Sequence, residues 1–445
     1  MSRVLLLLLA ALAGAAELRR PDIVLLMADD LGLGDVTALS MSCRIRTPYL
    51  DGFATESMRL RDFHADGAAG KMTRQAALTG RHAWRAPAGI GQGRPTLATH
   101  LKAEGYRTVF LGTWDLGTST APASGTPATL VDGPLAHGFD TFFGTSALPP
   151  RPPYRLIEGD RPSATEVKAE ELLEALTVRA IAELRKTQDD PRPVFLVVAL
   201  PTPGALHAPS GSWKERSGMH PHADVIMETD NSVGRILMAL RETRRAEDAF
   251  VVITSDNAPR DLAEREQLMR EFDHDSWAGF DVGRLGLGEA AHRVPAMVRW
   301  PRRIARGSAS DALSGSVDLY ATLLEVAAAR VAVGKGGEDS LSLLPVLTGK
   351  SAAARETLIH HAPNGFALRK RHLKLVAATP ADRRGSPLEL VDLREDPKET
   401  TDLARIRGDD AEELYDELTR QVKAGRTTPG PASPNEVEVR VAVGR

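Results

Sequence analysis

PDIVLLMADDL, residues 21–31, carries an unbroken apolar run from Ile23 to Met27 that ends abruptly in two adjacent carboxylates, Asp29 and Asp30. The run is too short for a helix and is bounded by a proline and a polar pair, so it reads as a strand buried on both faces. The C-terminal end of such a strand is where an α/β sheet keeps its chemistry. A second run of this kind, FVVITS at Phe250 to Ser255, also ends in an oxygen-bearing pair, Asp256 and Asn257. If the two strands are neighbours, four side chains converge, and three carboxylates at one point repel unless a cation neutralises them. A divalent Ca2+ or Mg2+ suits such a site. The same residues also suit a helix N-cap at Asp29 and an ordinary turn at Asp256-Asn257.

The 445 residues exceed one simple core, which implies a large domain and a smaller one. Hydrophobic content of 42% and charged content of 26% are those of a soluble globular protein. A net charge of −3 offers no electrostatic basis for binding nucleic acid. Arg3, the apolar run Val4 to Leu12 and the small residues Ala13 to Ala16 have the form of a signal peptide over residues 1–16, which predicts a secreted or periplasmic protein. No later segment is long enough to span a bilayer. Cys43 is the only cysteine, so an internal disulfide and a cysteine metal site are excluded.

Along the chain, Thr47-Pro48 opens a helix followed by a short strand. GAAGKMTRQAALTGRH, residues 67–82, is a Gly-rich turn leading into an Ala-rich helix that ends at Gly80. A helix over Ala98 to Ala103 and a strand over Tyr106 to Leu111 follow. Strand, helix, strand in this order predicts parallel topology. Later come a helix over Ser316 to Ala329, three strands at Phe366 to Arg369, Leu373 to Val376 and Leu388 to Leu393, and a helix over Ala411 to Ala424 with Asp410 as its N-cap. Gly430 to Pro434 reads as a linker and Val437 to Val443 as an edge strand. The basic residues between Arg369 and Lys374 read either as a solvated strand edge or as a face for an anion.

Several motifs in order resemble the sulfatase family of the alkaline phosphatase-like superfamily. They are Asp29-Asp30, the Thr47 to Asp51 turn, Arg74 ahead of Ala76-Ala77-Leu78-Thr79-Gly80-Arg81, Gly112 to Gly117 (similar to GKWHLG) and His137-Gly138-Phe139-Asp140. Asp230 to Gly234, Thr254 to Asn257, Arg293-Val294-Pro295 with Trp300-Pro301, and Asp318 to Leu324 continue the match. The resemblance implies a large sandwiched, mixed but mostly parallel sheet with flanking helices over residues 17–330. It also implies a smaller antiparallel sheet with a helix over residues 331–445. It makes Asp29, Asp30, Asp256 and Asn257 ligands of a divalent cation, Ca2+ in preference to Mg2+. A sulfated small molecule or glycan is the ligand it implies.

In that family the nucleophile is a formylglycine made from the Cys or Ser of a CxPxR signature at a helix N-terminus. Here Arg74 supplies the signature's arginine, but Gly70 stands at the nucleophile position and Met72 at the proline. Thr73 is the nearest hydroxyl, and a helix-surface role is expected for it. Thr113 and Asp115 replace the family's sulfate-contacting Lys and His, which exchanges a cation for an anion. Pro203 replaces a further His, with His207 nearby, and Arg284 stands for a Lys ahead of Glu289-Ala290-Ala291. The resemblance thus implies a non-catalytic homologue with its ion site kept. The alternative is a sulfuric or phosphoric ester hydrolase in which metal-bound water attacks directly.

Overall fold

The computed structural model describes residues 20–441 apart from 68, 87–88, 118–129, 147–152, 205–207, 282–285, 331–335, 364 and 379–387. The segment 1–16 expected to be a signal peptide, His207 and Arg284 lie outside the described residues.

In chain order the strands are β1 (Ile23–Asp29), β2 (Met58–Leu60), β3 (Phe63–His64), β4 (Arg107–Thr113), β5 (Thr141–Thr145), β6 (Tyr154–Glu158), β7 (Arg161–Val167) and β8 (Val194–Pro203). They continue with β9 (Phe250–Ser255), β10 (Ala296–Arg299), β11 (Ala309–Ser310), β12 (Ser314–Gly315), β13 (Thr357–Ala362), β14 (Gly365–Lys370), β15 (Leu373–Ala378) and β16 (Leu388–Asp392). Ten of them form one sheet in the order β11-β2-β10-β9-β1-β8-β4-β5-β6-β7. Its centre, β9-β1-β8-β4-β5, is parallel, and antiparallel pairs lie to either side. A four-stranded antiparallel sheet, β13-β14-β15-β16, carries the C-terminal helix Gly408–Ala424. This is the fold class that the motifs imply.

The apolar run in β1 alternates between two cores. Ile23, Leu25 and Met27 face one, and Val24, Leu26 and Ala28 face the other. Both faces are buried because helices cover both sides of the sheet. The family-like motifs are joints in this frame. Asp230, inside the long helix Pro221–Glu242, accepts hydrogen bonds from the backbone N–H groups of Tyr49 (3.2 Å) and Leu50 (2.8 Å), capping the helix Pro48–Glu56 from outside. One turn on, a Cβ on Gly234 would lie 2.3 Å from the Tyr49 ring, so only glycine lets the two helices approach this closely.

Four expectations need correction. Thr73 is not on a helix surface; it is fully buried, and its Oγ1 accepts from the Asp66 N–H at 3.0 Å. The segment expected as one helix from Ser316 is a 3-10 turn, Ser316–Asp318, followed by a helix that ends at Val326. The C-terminal helix starts at Gly408 with Arg407 at its N-cap, and Asp410 instead pairs with the Arg407 guanidinium at 2.7 Å. The tail is neither linker nor strand through Val441. It folds back so that the Pro434 carbonyl and the Glu436 carboxylate accept from Arg81 at 2.7 and 2.5 Å. Asn435 Oδ1 accepts from Arg85 at 3.0 Å.

The basic stretch at Arg369 to Lys374 divides: Arg371 is exposed and Lys370 and His372 partly so, as on a solvated edge, while its two ends are not. Arg369 and Lys374 are buried, and Arg369 binds Glu289 (2.8 Å) and Asp62 (3.2 Å) while Lys374 reaches Glu289 (3.2 Å) and Glu399 (3.1 Å). The C-terminal sheet is thereby pinned to the large sheet by charges removed from water. Deleting one member leaves an uncompensated buried charge, which costs about 3–5 kcal/mol. Arg369→Leu is therefore expected to lower the free energy of unfolding by that amount in chemical denaturation. Lys370→Ala, which removes a half-exposed pair with Glu413, should change it by less than about 1 kcal/mol.

Candidate functional site

β1 and β9 are adjacent and parallel, with Ala28 opposite Ser255, so their C-terminal ends bring Asp29, Asp30, Asp256 and Asn257 together. Two local features aim these groups. The β1-β8 register shifts between Met27 and Asp29, a bulge that turns the strand end. Asp30 then takes a left-handed backbone, φ 57°, a conformation that Asp tolerates better than most residues and that clusters at functional sites. Its N–H points to Asp256 Oδ1 at 3.3 Å, and the next N–H, of Leu31, donates to Ser255 Oγ at 2.9 Å.

Carboxylate oxygens of Asp29, Asp30 and Asp256 all lie within 4.8 Å of one another. Burial, then the Asp30 charge, pushes Asp29 up to about 6. Burial and the Asp29 charge hold Asp256 well above the ordinary carboxylate range, against the pull of Arg74. The side-chain amide of Asn257 donates to Asp30 Oδ1 and to the Ala258 carbonyl, while its Oδ1 is buried and has no hydrogen-bond partner. Three crowded carboxylates and an orphaned amide oxygen form an oxygen-only donor set, which fits a hard divalent cation.

The position beside it where the resemblance implies an anion is occupied by the chain's own carboxylates. Gly70 is the first residue of the helix Gly70–Thr79, and a Cβ placed on it would lie 2.1 Å from Asp256 Oδ2. A carboxylate oxygen thus occupies the space where a nucleophilic side chain would begin. Arg74, one turn on, gives one arm of its guanidinium to Asp256. Its other edge is held by Asp115 as a bidentate pair, Nη2 at 2.7 Å and Nε at 3.3 Å. The fork geometry with which arginine grips a tetrahedral anion is satisfied by an internal carboxylate. Pro203, at the end of β8 and opposite Asp29, offers no side-chain donor.

The cleft in front of Gly70 has a volume of about 300 Å³ and is lined by Asp29, Arg74, Thr113, Asp115, Lys71 and Arg260 among others. Lys71 is exposed, and Arg260, more than half exposed, lies 3.4 Å from Asp30. Sequence reading missed both. Lys71 is one lysine in the first turn of an Ala-rich helix, and Arg260 stands in a loop three residues beyond Asn257, so neither carries a periodic signal. The sequence-derived set therefore divides: Asp29, Asp30, Asp256 and Asn257 meet, Gly70 and Arg74 abut them, and Arg284 lies outside the described residues.

Asp115→Ala is expected to release one edge of Arg74. Affinity for inorganic sulfate, measured by calorimetry, should rise roughly tenfold, corresponding to about 1.4 kcal/mol.

Comparison with known proteins bears on this geometry. Residues 21–329 match the family model described as Sulfatase, and residues 280–428 match that of the N-sulphoglucosamine sulphohydrolase C-terminal region. The N-acetylgalactosamine-6-sulfatase of Canis lupus familiaris is 32% identical over 385 residues, covering 78% of this chain and 70% of that protein. A solved structure from work on glycosaminoglycan metabolism by Bacteroides thetaiotaomicron superposes with a TM-score of 0.80 at 23% identity, covering 91% of this chain and 99% of the other. Another, solved in complex with its substrate D-glucosamine-2-N,6-O-disulfate, gives 0.69 at 17% identity, covering 92% and 98%.

Proposed function

Because the chain belongs to the sulfatase family, we propose that it is a homologue impaired in hydrolysis that keeps a divalent cation and binds an anionic, sulfated saccharide at the mouth of the old active-site cleft. The observation that carries this reading is Gly70 with the Asp256 carboxylate lying over it. Hydrolysis in this family's manner needs a nucleophile there, and glycine brings no side chain. The internal Arg74-Asp115 pair supports the same conclusion, since the guanidinium is already neutralised.

The cation reading is supported by the oxygen-only donor set and the orphaned Asn257 Oδ1. Ca2+ suits it better than Mg2+, because Ca2+ accepts irregular oxygen cages while Mg2+ demands near-octahedral geometry and gives up water reluctantly. The apolar leader at residues 1–16 supports export to a Ca2+-rich compartment. The saccharide reading is supported by Lys71 and Arg260 at the cleft mouth and by the sulfated sugars named for the relatives above. A bound cation would screen the acids from an incoming sulfate; the chain's own residues would position the ligand.

Two measurements test this. Purified protein is expected to turn over aryl sulfates and aryl phosphates no faster than an Asp256→Ala control, while calorimetry with a sulfated disaccharide shows binding that weakens about tenfold in Lys71→Ala and in Arg260→Ala, a loss of about 1.4 kcal/mol each. Turnover that disappears in the control would establish an active hydrolase instead. In thermal denaturation, Ca2+ at a hundred times its dissociation constant should add about 2.7 kcal/mol over chelator-treated protein. Asp29→Asn should abolish most of that gain.

A further inference from the structure

We infer that His64, His292 and His360 form a second, nitrogen-donor metal site that holds a divalent transition metal of the zinc class between the two-stranded β3-β12 pair and the C-terminal sheet. His64 ends β3, His292 ends the short helix Glu289–His292, and His360 lies in β13 of the C-terminal sheet. All three rings are at most 1% exposed, and ring nitrogens of the three lie within 4.8 Å of one another. The backbone fixes this meeting. The Ala65 N–H donates to the His292 carbonyl at 2.7 Å, and His64 sits in register with Gly315 of β12.

Hydrogen-bond partners dictate which ring nitrogens carry protons. His64 Nε2 lies 2.8 Å from Asp62 Oδ1, and His292 Nε2 lies 3.3 Å from the Leu287 carbonyl. Both partners only accept, so both Nε2 atoms donate. In neutral rings the Nδ1 atoms are then bare lone pairs, yet they face each other at 2.9 Å. Something positive belongs between them. His360 stands beside the pair with neither ring nitrogen hydrogen-bonded, a rare state for a fully buried imidazole.

A single shared proton would serve the Nδ1 pair alone and leave His360 unbonded. It would also create a buried imidazolium, whose desolvation is costly. A metal ion serves all three rings at once. Ligand histidines characteristically donate their other N–H to a carboxylate or a backbone carbonyl, and Asp62 and Leu287 already stand in those places. Three imidazoles with a neighbouring carboxylate select Zn2+ and similar ions over Ca2+ or Mg2+. His292 and His360 lie stacked, 3.6 Å between centroids at 8°. A metal binds in the plane of an imidazole, so loading turns one ring of the stack, and His360, which has no hydrogen bond to lose, is the one that turns.

The test uses the full chain, unfolded in chelator and refolded with excess Ca2+ and either Zn2+ or Co2+, then freed of unbound metal. One Zn2+ per chain by elemental analysis, and a Co2+ visible spectrum typical of nitrogen-rich tetrahedral coordination, are expected. His360→Ala should lose the transition metal and keep its Ca2+, whereas His361→Ala and Asp29→Asn should keep the transition metal. Folded wild-type protein without transition metal, or undiminished metal in His360→Ala, would overturn the inference. If His360→Ala does not fold, the wild-type Co2+ spectrum decides: bands of oxygen-only coordination overturn the proposal.

Discussion

Like charges forced together at the ends of two adjacent parallel strands govern this molecule. β1 and β9 must lie side by side for the central sheet to bury both faces, and that adjacency places Asp29, Asp30 and Asp256 within a few ångströms of each other. Such an arrangement is unstable alone and persists only with compensating positive charge. Arg74 supplies part of that charge from the neighbouring helix, and the oxygen cage is built to accept the remainder from an ion. The fold, the ion pairs of Arg74 and the glycine at position 70 all bear on this one point.

Arg74 is the arginine of the CxPxR-like signature at the N-terminus of the Gly70–Thr79 helix. In this chain it faces Asp115 and Asp256. One substitution in the Gly112 to Gly117 motif, an acid at 115, thus closes an electrostatic circuit inside the protein. Gly70 removes the side chain that would have kept the Asp256 carboxylate away from that spot. The two departures reinforce each other: the glycine makes room for a carboxylate, and the second carboxylate completes the neutralisation of the guanidinium.

Much of this was legible in the sequence because the central strands are uniform apolar runs with abrupt acidic ends, a pattern with few interpretations. The four candidate metal-site residues come from two such runs, and the parallel sheet places them side by side. The parts that sequence reading missed depend on long-range pairing. Arg369 and Lys374 look like a solvated edge until Asp62 and Glu289 arrive from elsewhere in the chain. Thr73 has helical spacing suited to a surface, but the Asp66 backbone turns over it. Three histidines at positions 64, 292 and 360 are too far apart in sequence to carry a local signal of their meeting. Val437 to Val441 alternates as an edge strand would, yet the ion pairs of Glu436 hold the tail down against Arg81 and Arg94 before any ladder forms.

That returning tail sets a timetable for the chain. Arg81 and Arg85 follow directly on the helix that carries Gly70 and Arg74, and both are buried. Some of their partners are Pro434, Asn435 and Glu436, far along the sequence. During synthesis the N-terminal residues emerge first, yet these two guanidiniums wait for residues made more than three hundred positions later. The large sheet can form early, but the region beyond the Gly70–Thr79 helix is sealed only once residues 434–436 have left the ribosome.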